Sequence, residues 1–369
     1  MRRVALAAIG LVLITACSQR STSDVTSWQE WRGWDPECPL LVWSGGESPP
    51  DPVRWDDDTL AEGELAVMPR AWSDGRLTTL AIQRLRLDQA DPYKEWLMVN
   101  AETGEVMRAV RQAYPGPTAC TFTEEAVNGN RFGLFAWGPR VGTQTRSGLI
   151  EWQTDERLPR VVHRSGDASV TRWHLVNDEW LGVRQPAQEL VRLGRDAPIW
   201  SSADLPMSGI SPRHWNGRLV FEVGGVQTRR LMSLNREGVP VELSQRETHA
   251  AVAGNLGANR DWMVWSAAAT GHSRIMARNR AATIEIAIES AQEVGGAPFI
   301  VGCDRAAHRT RDGTAVYGLE SGSRQLITAP PNRRAGRILA LSCTHLYQSE
   351  FERGQLKIAR HLLVSDLNR

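Results

Sequence analysis

The apolar positions of this chain fall in short runs, and most runs are preceded by a polar turn built from Asn, Asp or Gly. Ser73-Asp74-Gly75 leads into Arg76–Ile82, Asn128-Gly129-Asn130 into Arg131–Trp137, Asn177-Asp178-Glu179 into Trp180–Val183, and Asn216-Gly217 into Arg218–Val223. Three further runs have less regular turns: Arg260–Trp265 after Ala258-Asn259, Pro298–Gly302 after Gly295-Gly296-Ala297, and Arg337–Ser342 after Ala335-Gly336. Runs this short, bounded by glycine and dominated by β-branched and aromatic residues, predict strands and exclude helices.

The runs recur. With Leu77, Phe132, Trp180, Leu219, Trp262, Phe299 and Ile338 taken as equivalent, the spacings are 55, 48, 39, 43, 37 and 39 residues. That is close to the period of a four-stranded propeller blade, about 40–45 residues. The cleanest unit is Ser211–Ser244, in which four short extended pieces are separated by Asn216-Gly217, Gly224-Gly225 and Glu237-Gly238. Each of these turns carries residues that accept positive φ. The predicted fold is therefore all-β: a seven-bladed β-propeller of four-stranded blades occupying residues 38–369 as a single domain. A propeller must close its ring, and a strand from one terminus can complete the blade made by the other. Leu40–Trp43 is placed to do so for the last blade, whose own strands are expected near Arg337–Ser342 and Gly354–Val364. The alternative is eight blades, with residues 38–70 forming a blade of their own.

Particular motifs carry a resemblance. Ala71-Trp72-Ser73-Asp74-Gly75-Arg76-Leu77 resembles the repeats of TolB-like and related WD-type propellers. Trp96-Leu97-Met98-Val99-Asn100-Ala101-Glu102-Thr103-Gly104-Glu105 looks like one repeat of the quinoprotein-like propellers, the group that includes the outer-membrane assembly lipoprotein BamB. The second motif appears once, so the TolB-like resemblance is preferred. It implies a propeller across residues 64–365.

The N-terminus speaks to compartment. Arg2-Arg3 precedes thirteen uncharged residues, Val4–Ala16, a stretch too short to remain as a membrane-spanning helix. Residues 1–16 read as a signal peptide. Leu13-Ile14-Thr15-Ala16-Cys17 resembles a bacterial lipobox, which implies a mature chain starting at a lipidated Cys17; the plainer alternative is a secretory signal with an incidental cysteine. Multiple acyl chains anchor stably, since each buried methylene contributes about 0.8 kcal/mol. Ser18, where Asp would signal inner-membrane retention, favours the outer membrane of a Gram-negative bacterium. Residues 17–37 form a lipidated tether ending in Trp28, Trp31 and Trp34. Their spacing of three allows a helical row that docks on a partner, or a staple that holds the tether to the chain's own body.

Composition narrows the chemistry. With 43 basic against 42 acidic residues and only Lys94 and Lys357 as lysines, there is no basic stripe for nucleic acid. Removal of residues 1–16 leaves a formal charge of −1. Four cysteines remain beyond Cys17, which allows two disulfides in three pairings. Cys303 and Cys343, at the far ends of equivalent strands in neighbouring blades, are the expected pair. There is no CxxC, GxSxG, P-loop or GxGxxG, and Asp56-Asp57-Asp58 lacks the spacing of a calcium loop. His174, His214 and His345 would meet at the axis only if their loops shared a face. Tryptophan outnumbers Phe and Tyr combined, 15 to 10, which fits packing between blades better than a ligand site. The expected function is a non-catalytic protein-interaction scaffold with cell-envelope partners, lipid-anchored and facing periplasm or surface, without cofactor or metal. The alternative is an enzyme or carbohydrate-binding protein using the propeller axis.

Overall fold

The structure is a computed structural model. It describes residues 28–364 apart from 44, 46–48, 57–58, 61–63, 66–69, 75–76, 88, 115–119, 142–143, 154, 166–169, 177, 196, 202–211, 225–228, 244–252, 270–271 and 291–296. Cys17 and the signal segment lie outside the described residues. Every regular element among the described residues is a strand, and the strands form seven antiparallel sheets, one per blade. In blades 2 to 6 the four strands follow chain order from the inner to the outer edge. The second strands begin at Thr78, Arg131, Glu179, Arg218, Met263, Arg305 and His345. The last two therefore differ from the expected register. Phe299 lies just before the first strand of blade 6 and Ile338 within that of blade 7, rather than at the start of the second strands, because the turns that open these second strands, at Cys303-Asp304 and Cys343-Thr344, carry cysteine where Asn-Gly was sought.

The two ends of the barrel of blades also differ from expectation. Leu40–Trp43 does not pair with the last blade. It lies beside Val106–Ala113, with Leu41 opposite Arg111 and Trp43 opposite Ala109, and Trp28–Trp31 pairs outside it. Blade 1 is thus widened by two outer strands. The last blade consists of Arg333–Leu341, His345–Glu352 and Gln355–Leu362, and its outer position is taken by Thr59–Leu60, with Thr59 opposite Ala359. Leu40, Val42 and Trp43 are buried while Leu41 is exposed, and Leu40 and Val42 pack with Trp31, Trp34 and Cys38 beside Phe122, Leu134 and Trp152 of blade 2, which holds the strand to blade 1. The described strands within residues 38–70 belong to blades 1 and 7 rather than to an eighth blade.

The second strands are the most deeply buried: the first seven residues of Thr78–Arg86 and the last five of Arg218–Val223 are inside. Each lies between neighbouring sheets, so both faces are apolar. Between blades 4 and 5, for example, Trp215, Val220 and Leu231 meet Met263, Trp265 and Met276. The Asn216-Gly217 turn joins the first two strands of blade 4 with φ of 49° and 74°, the left-handed pair that a two-residue hairpin requires.

The arginine-rich composition also has a structural cause. Among the described residues, four blades bury a glutamate and clamp it with arginine. Glu95 accepts from Arg84 Nε at 3.0 Å and Arg111 Nε at 2.9 Å. Glu151 accepts from Arg131 Nε at 2.6 Å, Arg160 Nη2 at 2.7 Å and, across to blade 3, Trp180 Nε1 at 3.0 Å. Glu222 lies 3.4 Å from Arg229 Nε and accepts the backbone N–H of Leu256 in blade 5 at 3.3 Å. The fourth is Glu350, in blade 7. A buried carboxylate needs several fixed donors, which a planar guanidinium supplies and an ammonium does not.

Candidate functional site

The fourth strand of blade 6, Arg324–Ile327, is an outer edge, and the strand opposite it, Gln355–Leu362 of blade 7, is covered by Thr59–Leu60 only near Ala359. Between them lies a groove of about 410 Å³ whose walls include Leu326, Pro330, Arg360 and Leu362. Alternation along both strands turns apolar side chains outward here. Leu326 is 41% exposed and Leu362 70%, with Val364 at 59% just beyond. The chain after the last strand crosses back to blade 6, where Val364 N–H donates to Gln325 Oε1 at 3.2 Å and Arg305 Nη2 donates to the Val364 carbonyl at 3.1 Å.

A polar network supports the groove from beneath. Glu350 is fully buried; its Oε1 accepts from Gln348 Nε2 at 2.9 Å and lies 3.0 Å from His361 Nε2. Thr314 Oγ1 of blade 6 donates to Gln348 Oε1 at 2.9 Å, tying the two blades together. Arg333 sits 3.5 Å from Glu350 Oε2 and donates to Thr59 Oγ1 at 2.6 Å, so the closing strand is held to the same network. Burial pushes the Glu350 carboxyl up, but the His361 and Gln348 hydrogen bonds and the charge of Arg333 outweigh it and hold it below the usual carboxylate range. Thr59, Arg333 and His361 of this network also line the groove, with Gln325, Thr328 and Arg360, so the groove's walls are mainly polar; exposed Leu326 and Leu362 and two incompletely paired strand edges lie beside them.

The other expected residues are placed as follows. Trp28–Trp31 is a strand, so the tryptophans do not form a helical row. Trp31 and Trp34 are 8% and 3% exposed and lie in the chain's own core with Phe122, Leu134 and Trp152. Trp28 is half-buried beneath Arg111, whose guanidinium carbon is 3.8 Å from its ring centre and 4.3 Å from that of Tyr93. Cys38 is joined to Cys120, with Cα atoms 5.8 Å apart, and Cys303 to Cys343 at 5.4 Å. His174 and His214 are on the first strands of blades 3 and 4, whereas His345 is bonded to Thr344 Oγ1 at the start of a second strand. The three do not converge, and no metal-ligating cluster occurs among the described residues. Sequence reasoning did not single out Leu326, Arg333, Glu350, His361 or Leu362. Their only local signal is the apolar residue left outward on each of two strands.

No family model and no curated protein matches the chain. Solved structures similar to it include TolB from Acinetobacter baumannii, 9% identical over 76% of this chain and 79% of that one, with a TM-score of 0.34. BamB from Moraxella catarrhalis is 10% identical over 83% and 96%, with a TM-score of 0.38. The β-propeller domain of the Trilobed protease from Pyrococcus furiosus is 11% identical over 67% and 86%, with a TM-score of 0.44.

Proposed function

We propose that this chain is an outer-membrane lipoprotein, anchored through Cys17, that acts as a non-catalytic scaffold for other cell-envelope proteins. The observation that carries the interaction role is the groove between blades 6 and 7. It places two incompletely paired strand edges beside exposed Leu326 and Leu362. An edge strand with pockets for alternate side chains accepts an extended segment by strand addition, in which backbone hydrogen bonds supply affinity and the alternate pockets select apolar residues. The occupant of the groove is accordingly an extended segment of a partner with apolar side chains two residues apart. The anchor rests on the charge-free Val4–Ala16 segment and on Leu13–Cys17.

The test is photo-crosslinking in intact cells, with the crosslinker placed at Leu362 or, as a control, at Ile288, which is 60% exposed on the outer strand of blade 5. A discrete adduct from position 362, absent at 288 and lost with Leu326→Glu, is the expected result; equal labelling at both positions overturns the groove. Cys17→Ser should move the protein from the membrane to the soluble fraction, and unchanged fractionation overturns the anchor.

A further inference from the structure

The ladder of blade 1 sets Arg84, Glu95, Arg111, Leu41 and Glu30 directly opposite one another on successive strands, so these side chains form one row on one face of the sheet. Glu95 is fully buried and takes both Arg84 and Arg111. Two cations on one carboxylate leave the triad one positive charge in excess. Arg84 is buried with the glutamate, whereas the Arg111 side chain is 23% exposed, so the excess reaches the surface at Arg111. Asp51 and Glu30, beside this row, are already paired, with Arg86 at 3.6 Å and with Arg32.

Arg111 is also held in one orientation. Its Nε donates to Glu95 Oε1 at 2.9 Å, and its guanidinium carbon lies 3.8 Å from the Trp28 ring centre and 4.3 Å from that of Tyr93. The two rings come from opposite directions along the strand. Trp28 aligns through Trp43 with Ala109, two residues before Arg111, and Tyr93 aligns with Ala113, two residues after it. With Nε committed and a ring on either side, the Nη1–Nη2 edge is what remains to bond, and neither nitrogen donates to an acceptor among the described residues. A guanidinium fixed in this way has lost its rotamer freedom before any ligand arrives. Its paired terminal N–H groups match the two oxygens of a carboxylate. Leu41, directly opposite, is exposed and stands about 5 Å away between Cβ atoms, which adds an apolar contact within one residue's reach.

We infer that this face of blade 1 is a binding site for a carboxylate joined to an apolar group, with Arg111 Nη1 and Nη2 taking the two oxygens and Leu41 the apolar part. One unbalanced positive charge matches a monoanion. The site is on blade 1 and the groove lies between blades 6 and 7, so either assignment can fail alone.

The probe is N-acetyl-leucine at pH 7.5, titrated calorimetrically into the full-length protein and compared with N-acetyl-leucinamide, which has the same apolar part and no charge. Saturable binding of the acid, at least about tenfold tighter than that of the amide, is expected. Arg111→Gln should remove this preference, and Arg111→Lys, which keeps the charge without the paired donors, should retain only part of it. Leu41→Glu, at an exposed position, sets a carboxylate of the chain's own opposite Arg111 and should abolish binding of the acid; Leu41→Gln should keep the preference. Circular dichroism establishes that each variant is folded. A second probe, acetyl-Leu-Glu-Leu-amide, separates the sources: tighter binding of N-acetyl-leucine assigns a chain terminus, and tighter binding of the peptide an acidic side chain. Equal affinity for acid and amide, absence of saturable binding of either carboxylate probe, or undiminished acid binding by folded Leu41→Glu overturns the proposal.

Discussion

Trp34 is where the partner-docking and body-stapling readings of the tether give opposite results. Its indole is 3% exposed and packs with Trp31, Cys38 and Leu40 against blade 2, where a Cβ added at Gly148 would collide with it. Arg164 stacks 5.1 Å from the ring and donates to the Trp34 carbonyl at 2.6 Å. A buried tryptophan removes roughly 150–250 Å² from water, worth about 4–6 kcal/mol at 25 cal/mol per Å². Allowance for a compact unfolded chain reduces this to about 3–5 kcal/mol, the range measured for Trp→Ala in protein cores. Trp34→Ala should therefore lose about 3–5 kcal/mol of docking energy. The loss need not appear in global unfolding, because residues 28–43 lie outermost on blade 1 and can detach as a unit while the Cys38–Cys120 bond keeps them tethered. Urea unfolding should therefore be measured together with amide exchange, with protection at Leu40–Trp43 falling by the larger factor. Trp28→Ala, which removes a half-buried ring and one cation–π contact, should cost only about 1 kcal/mol. A loss below about 1 kcal/mol for Trp34→Ala, with exchange at Leu40–Trp43 unchanged, would refute the stapling role.

Truncation separates the two N-terminal segments. Deletion through residue 44, combined with Cys120→Ser, should leave blade 1 with an ordinary outer edge and a monomeric protein. Deletion through residue 62 removes Thr59–Leu60, uncovers the blade 7 edge, and should give aggregates by size-exclusion chromatography. Non-reducing peptide mapping should recover Cys303 linked to Cys343, and replacement of both by serine should cost about 4 kcal/mol for a loop of 40 residues. Cross-linked peptides joining either cysteine to Cys38 or Cys120 would refute the pairing. Because the folded Glu350 carboxyl lies below its ordinary value of 4.5, its contribution is present above that pH and is lost as pH falls through the folded value. Glu350→Gln should be less stable than wild type at pH 7, and the difference should shrink by pH 3 in denaturant titrations; a gap independent of pH would count against the charged network.

The strand class, the repeat and the seven-blade ring were written in local pattern. Alternation and turn residues act over a few positions, and the spacing of Asn-Gly and Asp-Gly turns needs no knowledge of what packs where. Ser211–Ser244 shows this best, since its turns and strands follow directly from its residues. Reading became unreliable where a turn lost its glycine, as at Cys303 and Cys343, because the cross-link and the neighbouring blade then hold the turn. Leu40–Trp43 shows a different limit. Its alternation predicts a half-buried strand, but several blade edges accept a four-residue apolar strand. Only the packing of Trp31, Trp34 and Cys38 on blade 2 selects blade 1, and Thr59–Leu60, too short to be seen as a strand, takes the closing position. The groove is likewise tertiary. Leu326 and Leu362 lie on different blades. Their convergence depends on ring closure and strand register, and neither is encoded near any one of them.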